Sequence, residues 1–256
     1  MTRRPTLPPA YRLVSLETVD STNAEAKRLA ALGEDEGEDG TLVWARQQTA
    51  GRGRRGRQWY SPEGNLHCSL ILRPECPVET ALQLGFVASL AICDAIARVA
   101  QPGHEVWCKW PNDVLLGDRK VAGILLESEA GADAMPNWVV LGVGINVAHF
   151  PEDVEFPATS LREEGCRDVD EVDLLEAFAQ HFLTWVNRWL DDGFVPVRKH
   201  WLQRSKGLGE AIAVRLDKET LSGTFADLDE DGALILEVEG GGRRRISAGD
   251  VYFAAE

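Results

Sequence analysis

The sequence predicts an α/β (α+β) fold in two parts: a large domain over residues 1–206 and a small all-β barrel over residues 207–256. Three observations carry this. Helix-period and strand-like segments alternate as far as Arg204. After Gly207-Leu208-Gly209 the texture changes to short strand-like runs separated by turn residues. A chain of 256 residues with 44% hydrophobic content can bury one sizeable core and a smaller one beside it.

In chain order, residues 1–10 read as a loose tail and residues 13–19 as a first strand. Thr22-Asn23-Ala24-Glu25 has capping-box spacing, so a helix starts there and runs to Gly33, which suits a C-terminal cap. Residues 34–39 hold five acids in six positions and read as a solvated loop. Residues 41–46 and 66–72 read as strands flanking an arginine-rich loop. Residues 80–100 are apolar on most of their circumference, with Pro102-Gly103 as a stop, which predicts a well-buried helix. Residues 106–110, 113–116, 122–127 and 138–147 read as strands, and the last, nearly all apolar, as a central strand covered on both faces. Residues 173–192 form an amphipathic helix ended by Gly193, and a short helix spans 196–204. In the second part, runs over 211–216, 221–227, 233–239, 244–247 and 251–254 alternate with turns such as Asp229-Glu230-Asp231-Gly232. No internal repeat is evident.

Composition narrows the function. No stretch reads as long and apolar enough to span a bilayer. Arg3-Arg4 leads into Pro5, Pro8 and Pro9 without an apolar segment, so no export signal is read. The five cysteines are odd in number and lack Cys-x-x-Cys spacing, which suits reduced thiols in a cytoplasmic protein better than disulfides or a metal site.

The most informative stretch is Gly51-Arg52-Gly53-Arg54-Arg55-Gly56-Arg57-Gln58-Trp59, four arginines within six residues of a chain whose formal net charge is -14. Its glycines let the backbone turn tightly, its guanidinium groups match carboxylate and phosphate, and Trp59 offers a flat face to a base. A basic loop on an acidic protein points to a specific small anion rather than a polyanion. The Gly-x-Gly-x-x-Gly spelling of a dinucleotide site fails on context, because Pro62, Gly64 and a strand follow where a helix is required. No Gly-Lys-Ser/Thr is present for a phosphate-binding P-loop. A nucleic-acid arm is disfavoured by a pI of about 4.9, and Arg243-Arg244-Arg245 reads as a solvated strand edge.

Three further segments carry polar chemistry: Asp20-Ser21-Thr22-Asn23, Lys109-Trp110-Pro111-Asn112-Asp113 followed by residues 119–125, and Gly142-Val143-Gly144-Ile145-Asn146. Each has a bland reading. Ser21 and Thr22 can serve as helix caps, Pro111-Asn112-Asp113 as a turn, Lys120 as a solvated residue, and Gly142 and Gly144 as aids to close packing. Their co-occurrence favours function.

Taken together, the strings STN, QTAGRGRRGRQW, KWPND, RKVAGILLE and GVGIN closely resemble the biotin–protein ligases over residues 14 to the C-terminus. The resemblance implies a mixed-sheet catalytic domain related to class II aminoacyl-tRNA synthetases and lipoate ligases, followed by an SH3-like barrel. It implies ATP and biotin as substrates, Mg2+, and biotinyl-5′-adenylate as intermediate. The resemblance also implies an acceptor lysine on a biotin carboxyl carrier protein domain. It assigns Ser21, Thr22, Gln48, Gly51, Arg52 and Arg54 to biotin recognition, with Gly123, Leu125, Gly142 and Ile145 lining the ring and valeryl chain. Lys120 reaches the carboxylate and α-phosphate. Arg54, Trp59, Lys109, Asn112, Lys120 and Asn146 fall on the ATP and adenylate side. Lys120, Arg52 and Asp113 are the catalytic candidates, Asp113 as a metal-positioning group or a proton acceptor. Only nineteen residues precede Asp20, so neither a repressor domain nor DNA binding is expected. No membrane partner is expected either. A lipoate ligase would lack the arginine-loop and Lys-Trp-Pro-Asn-Asp set, and a DNA-regulatory protein would have no use for Lys120.

Overall fold

The computed structural model describes residues 3–33, 35–100, 103–238 and 240–253. Glu34, the stop signal at Pro102 and the strand ends read at Glu239 and Ala254 lie outside the described residues. The larger part is a seven-stranded mixed sheet built from β1 (Arg12–Val19), β2 (Thr41–Gln48), β3 (Leu66–Leu72), β4 (Val106–Lys109), β5 (Asp113–Leu116), β6 (Arg119–Ala130) and β7 (Pro136–Ile145). Its order is β1-β2-β3-β7-β6-β5-β4. β1 and β2 pair in parallel, and the other neighbours are antiparallel.

β7 is central, as its apolar run implies, and its pleat separates two faces. Leu141, Val143 and Ile145 join the main core, whereas Trp138 and Val140 face a smaller cluster. α1 (Thr22–Ala31) covers that second face, packing Ala26 and Ala30 against Val43, Ile71 and Val140. The main core lies under α3 (Leu84–Val99), α4 (Glu171–Asp192) and α5 (Phe194–Gln203).

Several local expectations are corrected. The helix read over 80–100 is split into the one-turn α2 (Val78–Ala81) and α3. Together Val78–Val99 are long and apolar enough to cross a membrane, with a mean hydropathy of 1.7, contrary to the sequence reading. The apolarity has an interior cause: 78% of that window is buried between the sheet and the outer helices. The cap of α1 is Ser21, whose oxygen accepts from Ala24 N, so the predicted box at Thr22 and Glu25 is one residue out of phase. A complete capping box instead starts α4, between Asp170 and Asp173. Within the predicted tail, Arg3 pairs with Asp173 and Glu176, and Thr6 N donates to Glu176 at 2.7 Å.

The second part comprises β8 (Ala211–Arg215), β9 (Thr220–Leu228), β10 (Leu234–Val238), β11 (Arg243–Ile246) and β12 (Asp250–Phe253). They form a small SH3-like antiparallel unit in the order β11-β10-β9-β8-β12. The Asp229–Gly232 turn seats this unit. Trp110 Nε1 donates to Gly232 O at 3.1 Å, and Arg198 of α5 reaches Leu228 O and Asp227. Arg243, Arg244 and Arg245 lie exposed on the edge strand, paired with Glu237, Glu219 and Asp229.

Candidate active site

A cavity of 420 Å³ opens on the α1 face of the sheet, between the start of α1, the arginine loop, the β5–β6 region, residues 151–158 and β12. The strand pleat chooses its wall. Gly123, Leu125, Gly142 and Gly144 reach the cavity, while Ile145 is fully buried on the opposite face in the main core. Ile145 therefore does not line this cavity, and period-two alternation against Gly144 is the sequence signal that separates them.

At the closed end, Thr22 N donates to Gln48 Oε1 at 2.8 Å, and Gln48 Nε2 donates to Ser61 Oγ at 2.8 Å. Ser21, Thr22 and Asn23 are buried there at the start of α1. A Cβ on Gly142 would stand 2.1 Å from Asn23 Oδ1, so only glycine lets that amide approach the strand. Gly51 lies behind this wall: a Cβ there would meet Ser61 Oγ at 2.4 Å and Trp59 O at 2.7 Å, and the residue supports the loop without lining the cavity.

Midway, the Trp59 indole lies on a floor made by the cross-strand partners Gly123 and Gly144. Beyond it, Lys120 Nζ is 2.5 Å from Asp113 and 5.3 Å from the Trp59 ring. Arg54 Nη1 donates to Asn112 Oδ1 at 3.0 Å, while Asn112 Nδ2 donates to Ile124 O at 2.6 Å. Asn146 also lines the cavity, its Nδ2 donating to Thr159 O at 3.0 Å. Lys109 is 3% exposed, with Nζ 2.8 Å from the centroid of the Phe156 ring. Burial pulls its pKa down to about 7, against the raising influence of Asp113. Burial likewise lowers Arg54, opposed by Asp250 and Asp113.

The second domain reaches this loop. Arg57 Nη2 donates to Asp250 at 2.8 Å, and Arg55 bonds to Asp217 at 2.9 Å with Asp250 at 3.6 Å. Arg55 sits at φ 56, an unfavourable left-handed conformation that these pairs help to hold. Asp250 is 193 residues from Arg57 in sequence and carries no signal there. Asn23 stood within the STN string but had no role assigned to it.

Nearly all the predicted site residues thus converge on one elongated cavity, closed and hydrogen-bonding at one end and cationic at the other. Such a cavity on a mixed sheet has the form of a ligand-binding site with room for an anionic group at its cationic end. The chain belongs to the biotin/lipoate A/B protein ligase family, which it matches over residues 7–203; residues 207–254 match the biotin protein ligase C-terminal domain. It is 42% identical over 244 residues to a biotin–[acetyl-CoA-carboxylase] ligase of Paracoccus denitrificans, covering 93% of this chain and 99% of the relative. The biotin protein ligase of Aquifex aeolicus in complex with biotin and ATP superposes with a TM-score of 0.78 at 30% identity, over 94% of this chain and 97% of the other. The Leishmania major enzyme in complex with biotinyl-5-AMP gives a TM-score of 0.63 at 27% identity, over 94% of this chain and 100% of the other.

Proposed function

We infer that this chain is an ATP-dependent biotin–protein ligase that forms biotinyl-5′-AMP and transfers the biotinyl group to a lysine of a biotin carboxyl carrier protein domain. The observation that carries this reading is the single cavity joining the hydrogen-bonding end at Ser21, Thr22 and Gln48 to the cationic end at Lys120 and Arg54. In the first step a carboxylate oxygen of biotin bonds to the α-phosphorus of ATP, and the bond to the leaving pyrophosphate breaks. In the second, the ε-amine of the carrier lysine bonds to the acyl carbon, the acyl–oxygen bond breaks, AMP leaves and the amine loses a proton.

Both partners of the first step are anions, so positive charge must sit where negative charge gathers. The Lys120 ammonium, 2.5 Å from Asp113, supports this role and has to exchange that carboxylate for the ligand. Arg52 and Arg54 supply further donors, and Trp59 with Asn112 and Asn146 frames the adenine side. The adenylate is prone to hydrolysis, and the loop from Arg52 to Trp59 covers it. Among the described residues no three His, Cys, Asp or Glu side chains gather into a metal cluster. The residues present fit a magnesium ion carried chiefly by the ATP phosphates, with Asp113 as the nearby motif carboxylate; bound there, the ion would neutralise phosphate charge. Free cysteines throughout support a cytoplasmic setting. The split at residues 206 and 207 gives the ligand cavity mainly to the first domain, with Asp250 and Val251 contributed by the second.

Biotin-dependent ATP–pyrophosphate exchange tests the proposal. Exchange with biotin and none with lipoate supports it; exchange with lipoate instead, or with neither acid, overturns it.

A further inference from the structure

Behind the closed end of the cavity runs a chain of polar groups that starts at a half-buried ion pair outside it and continues through buried Asn23, Ser69 and Thr22. Lys27 Nζ lies 2.6 Å from Glu127 Oε1, and Asn23 Nδ2 donates to Glu127 Oε2 at 2.9 Å. Asn23 Oδ1 lies 2.6 Å from Ser69 Oγ, which lies 2.8 Å from Thr22 Oγ1. Ser69 is fully buried, and Glu127 does not line the cavity. The strands place these groups together: Ser69 and Leu125 both pair with Gly142, on the face that α1 covers.

Counting hydrogens fixes the direction of the chain. A carboxylate only accepts, so Asn23 must turn its NH₂ toward Glu127 and its carbonyl oxygen toward Ser69. Leu125 O, 3.4 Å from the same nitrogen, favours the same orientation. Ser69 has one hydroxyl hydrogen, and Asn23 Oδ1 can only accept it. The Ser69 oxygen is then an acceptor for the hydroxyl of Thr22. The competing acceptor, Gln48 Oε1, is farther from Thr22 Oγ1 at 3.1 Å and already receives the Thr22 amide. With its hydrogen drawn inward, Thr22 Oγ1 presents only lone pairs to the cavity. Next to it, Ser21 Oγ accepts from Ala24 N at 3.5 Å and keeps its own hydrogen available. The closed end therefore offers one acceptor and one donor side by side, the complement of an N–H next to a carbonyl.

We propose that Glu127 and Ser69 are positioning residues that set the hydrogen-bond polarity of Thr22, so that the site selects a ligand head group bearing an N–H beside its carbonyl. The inference rests on the reading that this end of the cavity holds the ring of biotin, and it adds residues outside the cavity as the source of discrimination. Without an acceptor at position 127, the Asn23 amide keeps only the long 3.4 Å contact to Leu125 O and can turn over, Ser69 can turn its hydrogen toward Thr22, and Thr22 can donate into the cavity. A ligand with an ether oxygen in place of the N–H then becomes tolerable.

The experiment compares biotin with the two analogues in which one or the other ring N–H is replaced by oxygen, in wild type, Glu127→Leu and Ser69→Ala. Pyrophosphate exchange gives kcat and KM for each. An unpaired buried acceptor typically costs about 10- to 100-fold in binding, so wild type should disfavour one analogue by about that factor. Both variants should raise KM for biotin with kcat nearly kept, and should shrink the biotin-to-analogue ratio by about 10-fold. A role limited to packing would weaken all ligands alike and leave the ratio intact, which would overturn the proposal. If Glu127→Leu fails to fold, Ser69→Ala, which removes one hydroxyl and no charge, gives the same reading. Wild type that ignores biotin altogether sinks the biotin reading itself, an outcome distinct from an unchanged ratio in a biotin-active enzyme.

Discussion

Gly144→Ala tests whether the floor under Trp59 is built for the ring. Gly123 and Gly144 face one another across β6 and β7. A methyl on Gly144 would stand 2.4 Å from Trp59 Nε1, 2.5 Å from Cε2 and 2.8 Å from Cζ2. Carbon contacts settle near 3.5 to 4.0 Å, so the ring has to lift by roughly 1 Å. Gly144 is not in the left-handed region, so alanine suits the strand itself. The strain, typically about 1–3 kcal/mol for overpacking, falls on the ring and its loop. Because a misplacement of about 1 Å can cost on the order of 100-fold in rate, kcat/KM for biotin-dependent exchange should fall by about that factor. The melting midpoint should drop by only several degrees, at about 2–4 °C per kcal/mol for a chain of this size. The assay is a double-mutant cycle with Trp59→Ala. Once the ring is gone, Gly144→Ala should cost little, so the two losses should be strongly non-additive. Wild-type kinetics in Gly144→Ala, or additive losses in the cycle, would refute the reasoning.

Three further outcomes follow from the same geometry. Lys120→Ala should keep a folded protein and lose about 100-fold or more in adenylate formation; near-normal exchange would remove it from the phosphoryl centre. Arg52→Ala and Arg54→Ala should raise the ratio of AMP released without carrier protein to AMP released with it, because guanidinium donors gain most from a charged acceptor; an unchanged ratio and unchanged adenylate dissociation would deny the loop a protective role. Lys109, with its pKa pulled down from 10.5 to about 7 by burial, binds fewer protons folded than unfolded between those values. Stability should therefore rise with pH from about 7 to 10.5, and Lys109→Met should flatten that rise in urea midpoints measured at neutral and alkaline pH; an unaltered slope would show that Lys109 does not lose its proton on folding.

The parts of the fold legible in the sequence were those set by local periodicity. The apolar run of β7 announced a central strand, and the shift after Gly207 announced a second sheet. What was not legible arose from contacts across long separations. Arg3 has no reason in its own neighbourhood to be ordered; its partners are Asp173 and Glu176 on α4. The STN string showed hydroxyls at a helix start, but only the folded register reveals that Thr22 serves Gln48 and Ser69 while Ser21 makes the cap. Ile145 shared a motif with Gly142 and Gly144, and the pleat turned it away. Asp250 carries no signal in the sequence, because its three arginine neighbours belong to the loop and to β8.

That acid bears on why a chain of net charge -14 can carry four arginines in one loop. Unpaired, Arg52, Arg54, Arg55 and Arg57 would repel one another and spread the loop into solvent. Asp250, with a side chain only 12% exposed, faces Arg57 and Arg55, and Asp217 takes the outer side of Arg55. Burial alone would raise the pKa of Asp250, yet the Arg57 hydrogen bond and the surrounding guanidinium charge hold it below its usual value. The arginines differ in their partners. Arg55 and Arg57 pair with aspartates of the barrel, and Arg57 lines the cavity as well. Arg54 leans on Asn112, a neutral partner that competes weakly with an anion, and Arg52 lines the cavity. A loop anchored by two charges and armed with two others can close over an acyl phosphate without first breaking a strong ion pair at Arg54. The barrel thus reaches the ligand cavity in two ways, through the ion pairs that hold the arginine loop and through Asp250 itself, which lines the cavity wall.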